Sequence, residues 1–301
     1  MAKVTHVLAG EGDAGQRIDN FLIRTLKDAP RSLIYRILRR GEVRVNGRRA
    51  RPDYRLAEGD RVRIPPVELT PGGPTQAPSR SLQALVAEAV IFEDRDLLVV
   101  NKPAGVAVHG GSGLSFGVIE ALRAQRPELK ELELVHRLDR DTSGCLLLAK
   151  RRAVLRELHA ALRERTMDKH YVVLVCGRWP FRTKTLDLPL KTNLKQGGER
   201  MVRVHPAGQP AISTFRPRQT FGRLATFMEV EIDTGRTHQI RVHAAHAGHP
   251  VAGDEKYGSR ECNEALKSYG LRRMFLHAAS LSFARAGASE RFTISAPLPP
   301  E

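Results

Sequence analysis

Residues 65 to 81 read PPVELTPGGPTQAPSRS, and five prolines with two glycines in that stretch leave no helical or strand period. Such a composition stays solvated instead of packing into a core. It divides the chain, because no single hydrophobic core can run through it. The expected division is a small unit over 1–64, a linker over 65–84 and a larger unit over 85–301. A length of 301 residues suits two domains.

Charge says what kind of partner the chain meets. With 49 Lys+Arg against 33 Asp+Glu the net charge is +16. A charge of that size calls for a polyanion; nucleic acid is the commonest, with an anionic membrane surface as competitor. No apolar run reaches the roughly 18 residues of a membrane span, and no signal-peptide pattern opens the chain. Cys145, Cys176 and Cys262 are too few and too far apart for a disulfide framework or a thiolate metal cage. They read as idle thiols of a reducing compartment. Composition therefore points to a cytoplasmic, nucleic-acid-binding protein with no membrane partner.

In the small unit, Ile18, Phe21, Leu22 and Leu26 recur at helical spacing, with Arg17, Arg24 and Lys27 on the other side. A second helix follows Pro30, burying Ile34, Ile37 and Leu38 and turning Arg36, Arg39 and Arg40 outward, before Gly41 ends it. EVRVNG alternates Val43 and Val45 against Arg44 and ends in an Asn46-Gly47 turn signal; DRVRIP alternates again through Val62 and Ile64. Between Arg31 and Arg51 lie eight basic residues and a single acid, Glu42. Like charges at neighbouring turns repel, a cost that a phosphate backbone reverses, so Arg36, Arg39, Arg40 and Arg44 are candidate RNA contacts, arginine's fork suiting phosphate and bases alike. The stretch from Gly15 to Pro66 resembles an S-four-type RNA-binding domain, which implies that this unit, a small α/β domain, grips structured RNA by its helical face.

The larger unit carries the chemistry. In VHRLDRDTSGCLLLAK, residues 135–150, Asp139 and Asp141 stand between Arg137 and Arg140, just ahead of an apolar strand. The bland alternative is an Arg–Asp network capping that strand; a cluster of ionisable groups beside a buried strand is also where sites are placed. An opposite charge within a few ångströms favours the ionised form of a carboxylate. A carboxylate so held is a poor acid but a good nucleophile or cation stabiliser, as sugar chemistry uses it. An ordinary glycosidase needs a second carboxyl group as acid; a reaction returning the same leaving group to the same sugar does not.

HRLDRDTSG resembles the signature of the pseudouridine synthases that modify large ribosomal and transfer RNA, and TGRTHQIRVHAAHAGHPVAGDEKYG, residues 234–258, resembles that family's later motif. The likeness covers most of the chain. It implies an α+β fold, a mixed, mainly antiparallel sheet flanked by helices, and isomerisation of specific uridines to pseudouridine in large-subunit ribosomal RNA. Asp139 is implied as nucleophile, Tyr171 as the ring that stacks on the uracil and can take its proton, and Arg241 as the partner of Asp139. Arg137 is implied to fill the gap of a flipped base, with Arg140 beside it a further RNA contact. Asp141 has no catalytic counterpart and is structural. Every substrate atom is kept, so no cofactor is implied, and the expected state is a monomer.

Other segments carry weaker signals. Thr237 can cap a helix running to about Gly248, placing His238 and Arg241 one turn apart. His238, His243, His246 and His249 lack the spacing of a zinc-binding helix, so no metal is expected; packing and RNA contact suit them better. The glycine-rich loop from Gly110 to Gly117 lacks the ending of a phosphate-cradling loop and reads as a flexible loop near a site. Tyr171 lies in an apolar strand-like run, where a tyrosine is commonly core. Further strand-like runs fall around residues 97, 146, 172, 213, 228 and 282, and Lys191 to Pro210 reads as a loop or hairpin placed to touch substrate. The rivals are an RNA methyltransferase, whose glycine-rich turn and strand-end acid are missing, and a non-catalytic RNA-binding or ribosome-assembly factor.

Overall fold

The computed structural model describes residues 4–26, 29, 31–67, 77–110, 116–196 and 199–299. The chain divides into two compact units, Met1–Ala77 and Pro78–Glu301.

The first unit holds β1 (Thr5–Leu8), α1 (Ile18–Thr25), α2 (Arg31–Arg39), β2 (Arg44–Val45), β3 (Arg48–Arg49) and β4 (Arg61–Ile64). Its strands pair antiparallel in the order β1-β4-β2-β3. Asn46 and Gly47 both take positive φ, as the tight turn between β2 and β3 demands. Ile18, Phe21 and Leu22 of α1 and Ile34, Ile37 and Leu38 of α2 bury against Val43, Val45, Val62 and Ile64. Arg36, Arg39, Arg40 and Arg44 are left exposed, as the 3.6 and 2.0 periodicities require. Pro30 and Lys27 lie outside the described residues.

The second unit contains α3 (Arg80–Glu88), β5 (Val90–Glu93), β6 (Leu97–Lys102), α4 (Val118–Gln125), β7 (Glu133–Leu134), β8 (Ser143–Ala149), α5 (Arg152–Glu164), β9 (Asp168–Cys176), β10 (Lys184–Asp187), β11 (Leu190–Gln196), β12 (Glu199–Val204), β13 (Ile212–Phe221), β14 (Ala225–Ile232), α6 (Gln239–His246), α7 (Arg260–Lys267), β15 (Leu276–Ala284) and β16 (Arg291–Ser295). The main sheet runs β10-β13-β14-β9-β15-β8-β6-β5, with β16 on β15 and β7 on β8; β11 and β12 form a separate hairpin. Among these pairs, β15 with β8 is parallel and the rest are antiparallel. The fold is thus α+β with a mixed, mainly antiparallel sheet, and each of the six expected strand-like runs lies in a strand. Every residue of β8 is buried, and strands pair along both its edges.

Two expectations need correcting. The linker expected over 65–84 overlaps α3: the Ser79 hydroxyl accepts from the Leu82 N–H at the helix start, and Val86 buries in the core. A helix cap and one apolar stripe outweigh the proline-rich lead-in; residues 68–76 lie outside the described set. The cysteines are not all idle thiols. Cys176 and Cys262 form a disulfide across a sequence separation of 86, their Cα atoms 6.1 Å apart, while Cys145 is free and buried. Spacing along the chain says nothing of this approach, which arises where the end of β9 meets α7.

Candidate active site

Asp139 sits in the loop that leads into β8, and sheet register decides what it faces. Gly144, Ala278 and Tyr171 are aligned across β8, β15 and β9. Gly144 has φ +108°, and a Cβ there would lie 2.2 Å from the Ala278 carbonyl oxygen. The glycine of the DTSG run is therefore required for the close strand approach that brings the Asp139 loop near Tyr171. Buried cross-links fix the junction: Ser143 Oγ lies 2.9 Å from His277 Nδ1, and His277 Nε2 lies 3.0 Å from the Ala296 carbonyl oxygen.

Arg241, on α6, is buried and joins two carboxylates. Its Nε and one terminal nitrogen donate to Asp254 at 2.8 and 2.9 Å, and its other terminal nitrogen donates to Asp139 Oδ2 at 2.9 Å. Asp254 also accepts the Lys256 and Tyr257 backbone N–H groups. Burial opposes ionisation of this pair. The Arg241 hydrogen bonds and charge nevertheless hold the Asp254 carboxyl below its ordinary range, and the carboxylates hold the Arg241 guanidinium above its own. Asp139 is 25% exposed at its side chain, and among the described residues its Oδ1 takes no hydrogen bond. One oxygen is anchored and the other is open.

Burial, with the Asp139 charge second, raises the Tyr171 phenol well above its ordinary range. Arg137 and Arg140 are exposed, and Arg140 pairs with the half-exposed Asp141. Arg36, Arg39, Arg40 and Arg44 belong to the other unit.

Thr237 does not cap α6. The N-cap is His238, in left-handed conformation with φ +54°, and the turn is closed by Gln239 Oε1, which accepts from the Arg236 N–H and the Thr234 hydroxyl. His243 packs between Ser213 and the Leu188 carbonyl, His249 lies against Cys176 and Trp179, and His246 is exposed. Among the described residues no group of three His, Cys, Asp or Glu side chains could hold a metal. The tip of the glycine-rich loop, residues 111–115, lies outside the described residues; its ends are drawn together by Glu120, which accepts from the Gly110 and Gly117 N–H groups.

Sequence reasoning missed Lys102, Asp254, Tyr257 and the closeness of His238. Lys102 ends β6 fully buried, and its ammonium donates to the carbonyls of Pro103, Val106 and Arg140 at 2.7, 2.8 and 2.9 Å, tying the Asp139 loop to the neighbouring strand. Burial pushes this lysine down to about 7, against the charges of Asp141 and Asp139. A lysine closing a strand that opens on four apolar residues was the signal available. Asp254 and Tyr257 were in plain view in GDEKYG, but nothing local pointed them at Arg241.

Residues 96–246 match the family model described as RNA pseudouridylate synthase, and residues 16–62 match the S4 domain. The chain is 54% identical over 287 residues to the ribosomal large subunit pseudouridine synthase C of Yersinia pestis, covering 95% of this chain and 89% of that protein. It is 53% identical over 300 residues to the protein of that name from Escherichia coli (strain K12), covering 98% and 93%. Among solved structures, human RNA pseudouridylate synthase domain containing 1 superposes with a TM-score of 0.59 at 26% identity, covering 70% of this chain and 83% of that one.

Proposed function

The chain belongs to the RNA pseudouridylate synthase family, and on that premise we propose that it converts specific uridines of large-subunit ribosomal RNA to pseudouridine, with Asp139 as nucleophile. It is an isomerase acting on RNA. The observation that carries the residue assignment is the half-anchored Asp139 carboxylate, with Oδ2 on buried Arg241 and Oδ1 open.

A stacked uridine hides its sugar, so the target nucleotide is flipped out before reaction. Arg137, exposed two residues from Asp139, fills the vacated position. Asp139 meets the anomeric carbon as the bond to the uracil nitrogen breaks, and Arg241, locked by Asp254, keeps the carboxylate aimed. The Tyr171 ring supports the freed uracil while it turns and rejoins the sugar through carbon five; C5 then gives up its proton past the Tyr171 hydroxyl to water and N1 takes one up, which completes the isomerisation. All substrate atoms are retained, so the reaction calls for no cofactor. Arg36, Arg39, Arg40, Arg44 and Arg140 supply RNA affinity, and the enzyme acts as a cytoplasmic monomer. No helix among the described residues is long and apolar enough to cross a membrane.

The test is a pseudouridine-specific chemical map of ribosomal RNA from cells lacking the gene, complemented with wild type or Asp139→Asn. Wild type restores defined sites in the large-subunit RNA, and Asp139→Asn binds RNA but loses several orders of magnitude in turnover. Full activity of Asp139→Asn overturns the nucleophile assignment. A methyl group appearing in place of pseudouridine, or no change of any base, favours one of the two rivals.

A further inference from the structure

His238 stands beside Asp139 and has no part in the isomerisation steps. Its Nε2 stands 3.9 Å from Asp139 Oδ2, too far for a hydrogen bond, and among the described residues that nitrogen has no hydrogen-bond partner. Its side chain is largely buried, and its backbone sits in the left-handed region that non-glycine residues seldom occupy. Such strained conformations cluster where a side chain must be aimed.

The groups around it favour one tautomer. Tyr257 Oη lies 2.7 Å from His238 Nδ1, and the same hydroxyl oxygen accepts the Val202 backbone N–H at 3.1 Å. That N–H is free to do so because the β11–β12 register shifts between Lys191 and Leu194, which leaves Val202 without a ladder partner. The phenol can give or take the hydrogen at Nδ1, but the Asp139 carboxylate faces Nε2 at 3.9 Å and favours a hydrogen on that nitrogen, so we assign the phenolic proton to the Nδ1 contact. Nδ1 is then the acceptor and Nε2 carries the hydrogen. Asp139, Asp254, Arg241 and Lys256 are the charges around the ring, and burial, the largest influence, keeps the imidazole neutral by lowering its pKa.

We propose that the Nε2–H of His238 is a hydrogen-bond donor to the flipped uridine, placed to receive the charge that builds on the departing uracil. This rests on the isomerase reading above. When the C1′–N1 bond breaks, its electron pair leaves with the uracil ring and spreads to the carbonyl oxygens, while Asp139 supplies an electron pair to C1′. A fixed N–H donor beside the nucleophile stabilises that charge without giving up its proton. His238 is then a catalytic residue, Tyr257 a positioning residue that acts through it, and the bulge in the hairpin a part of the same assembly.

The experiment measures single-turnover pseudouridine formation at saturating ribosomal RNA fragment, alongside the Kd for that fragment, for wild type, His238→Ala, His238→Gln, Tyr257→Phe and the Gln–Phe double variant. His238→Ala is expected to slow conversion about a hundredfold, the usual effect of removing one preorganised donor, with Kd within about threefold. His238→Gln, whose amide N–H reaches near the Nε2 position, recovers at least tenfold of that loss. Tyr257→Phe slows the wild type by releasing the tautomer but adds nothing in the Gln background, because the amide does not depend on the phenol. A wild-type rate for His238→Ala, equal rates for Ala and Gln, or a loss confined to Kd each overturns the proposal. If the Ala variant does not fold, the Gln and Phe comparison decides, and full additivity of those two refutes it. A wild type that makes no pseudouridine instead strikes the isomerase reading itself.

Discussion

Asp254→Asn is the perturbation that most directly tests the architecture under the reactive carboxylate. Asp254 Oδ1 accepts from Arg241, Lys256 and Tyr257, and Oδ2 accepts from Arg241 Nε. An asparagine that keeps the three contacts to Oδ1 turns its amide hydrogens against the Arg241 Nε–H, so donor meets donor inside a buried site. Breaking one side of a buried ion pair costs about 3–5 kcal/mol, which for a unit of this size is a fall of roughly 6–20 °C in Tm. Asp139→Asn serves as the control. It gives up a single hydrogen bond at a part-exposed carboxylate and leaves Arg241 with both its bonds to Asp254, so its cost is within about 1 kcal/mol although turnover is gone. The assay is urea unfolding of both variants, with the midpoints compared at several pH values. The Asp254 carboxyl is held below its ordinary value when folded, so its contribution is complete above about pH 4 and drains away only as pH falls through that depressed value. The gap between wild type and Asp254→Asn should accordingly persist at pH 5 and narrow well below pH 4. An Asp254→Asn variant no less stable than Asp139→Asn would falsify the claim that Asp254 carries Arg241.

Two further perturbations probe the basic helix and the covalent link. Replacing Arg36, Arg39 and Arg40 together by Ala should weaken RNA binding and flatten its salt dependence by roughly two to three in log–log slope, as expected for three lost phosphate contacts; an unchanged slope in a Kd titration refutes the contact assignment. Reducing the Cys176–Cys262 disulfide should lower stability by about 2–4 kcal/mol. Wild type should then unfold earlier in urea with dithiothreitol than without, whereas Cys262→Ser is indifferent to the reductant; equal midpoints for wild type and Cys262→Ser under oxidising conditions remove the cross-link from the account.

The sequence by itself marked out the two helices of the small unit, six strand-like runs of the larger one and the arginines that face water, and its motifs drew attention to Asp139. These are local properties: Arg36, Arg39 and Arg40 are exposed because they stand two positions from Ile34, Ile37 and Leu38 on a 3.6-residue helix, and the runs around 146 and 172 are strands because apolar residues follow one another there. Only the tertiary structure decided the partners. Arg241 reaches Asp139 across 102 residues of chain, Lys102 holds the Arg140 carbonyl from a neighbouring strand, and Cys176 meets Cys262. Each of these contacts is set by how strands, helices and loops pack against one another in three dimensions. Periodicity reports which side of an element is buried, and it carries no information about what lies opposite; that is why Asp254, Tyr257 and His238 could be read as residues in a motif but not as the frame around a reactive carboxylate.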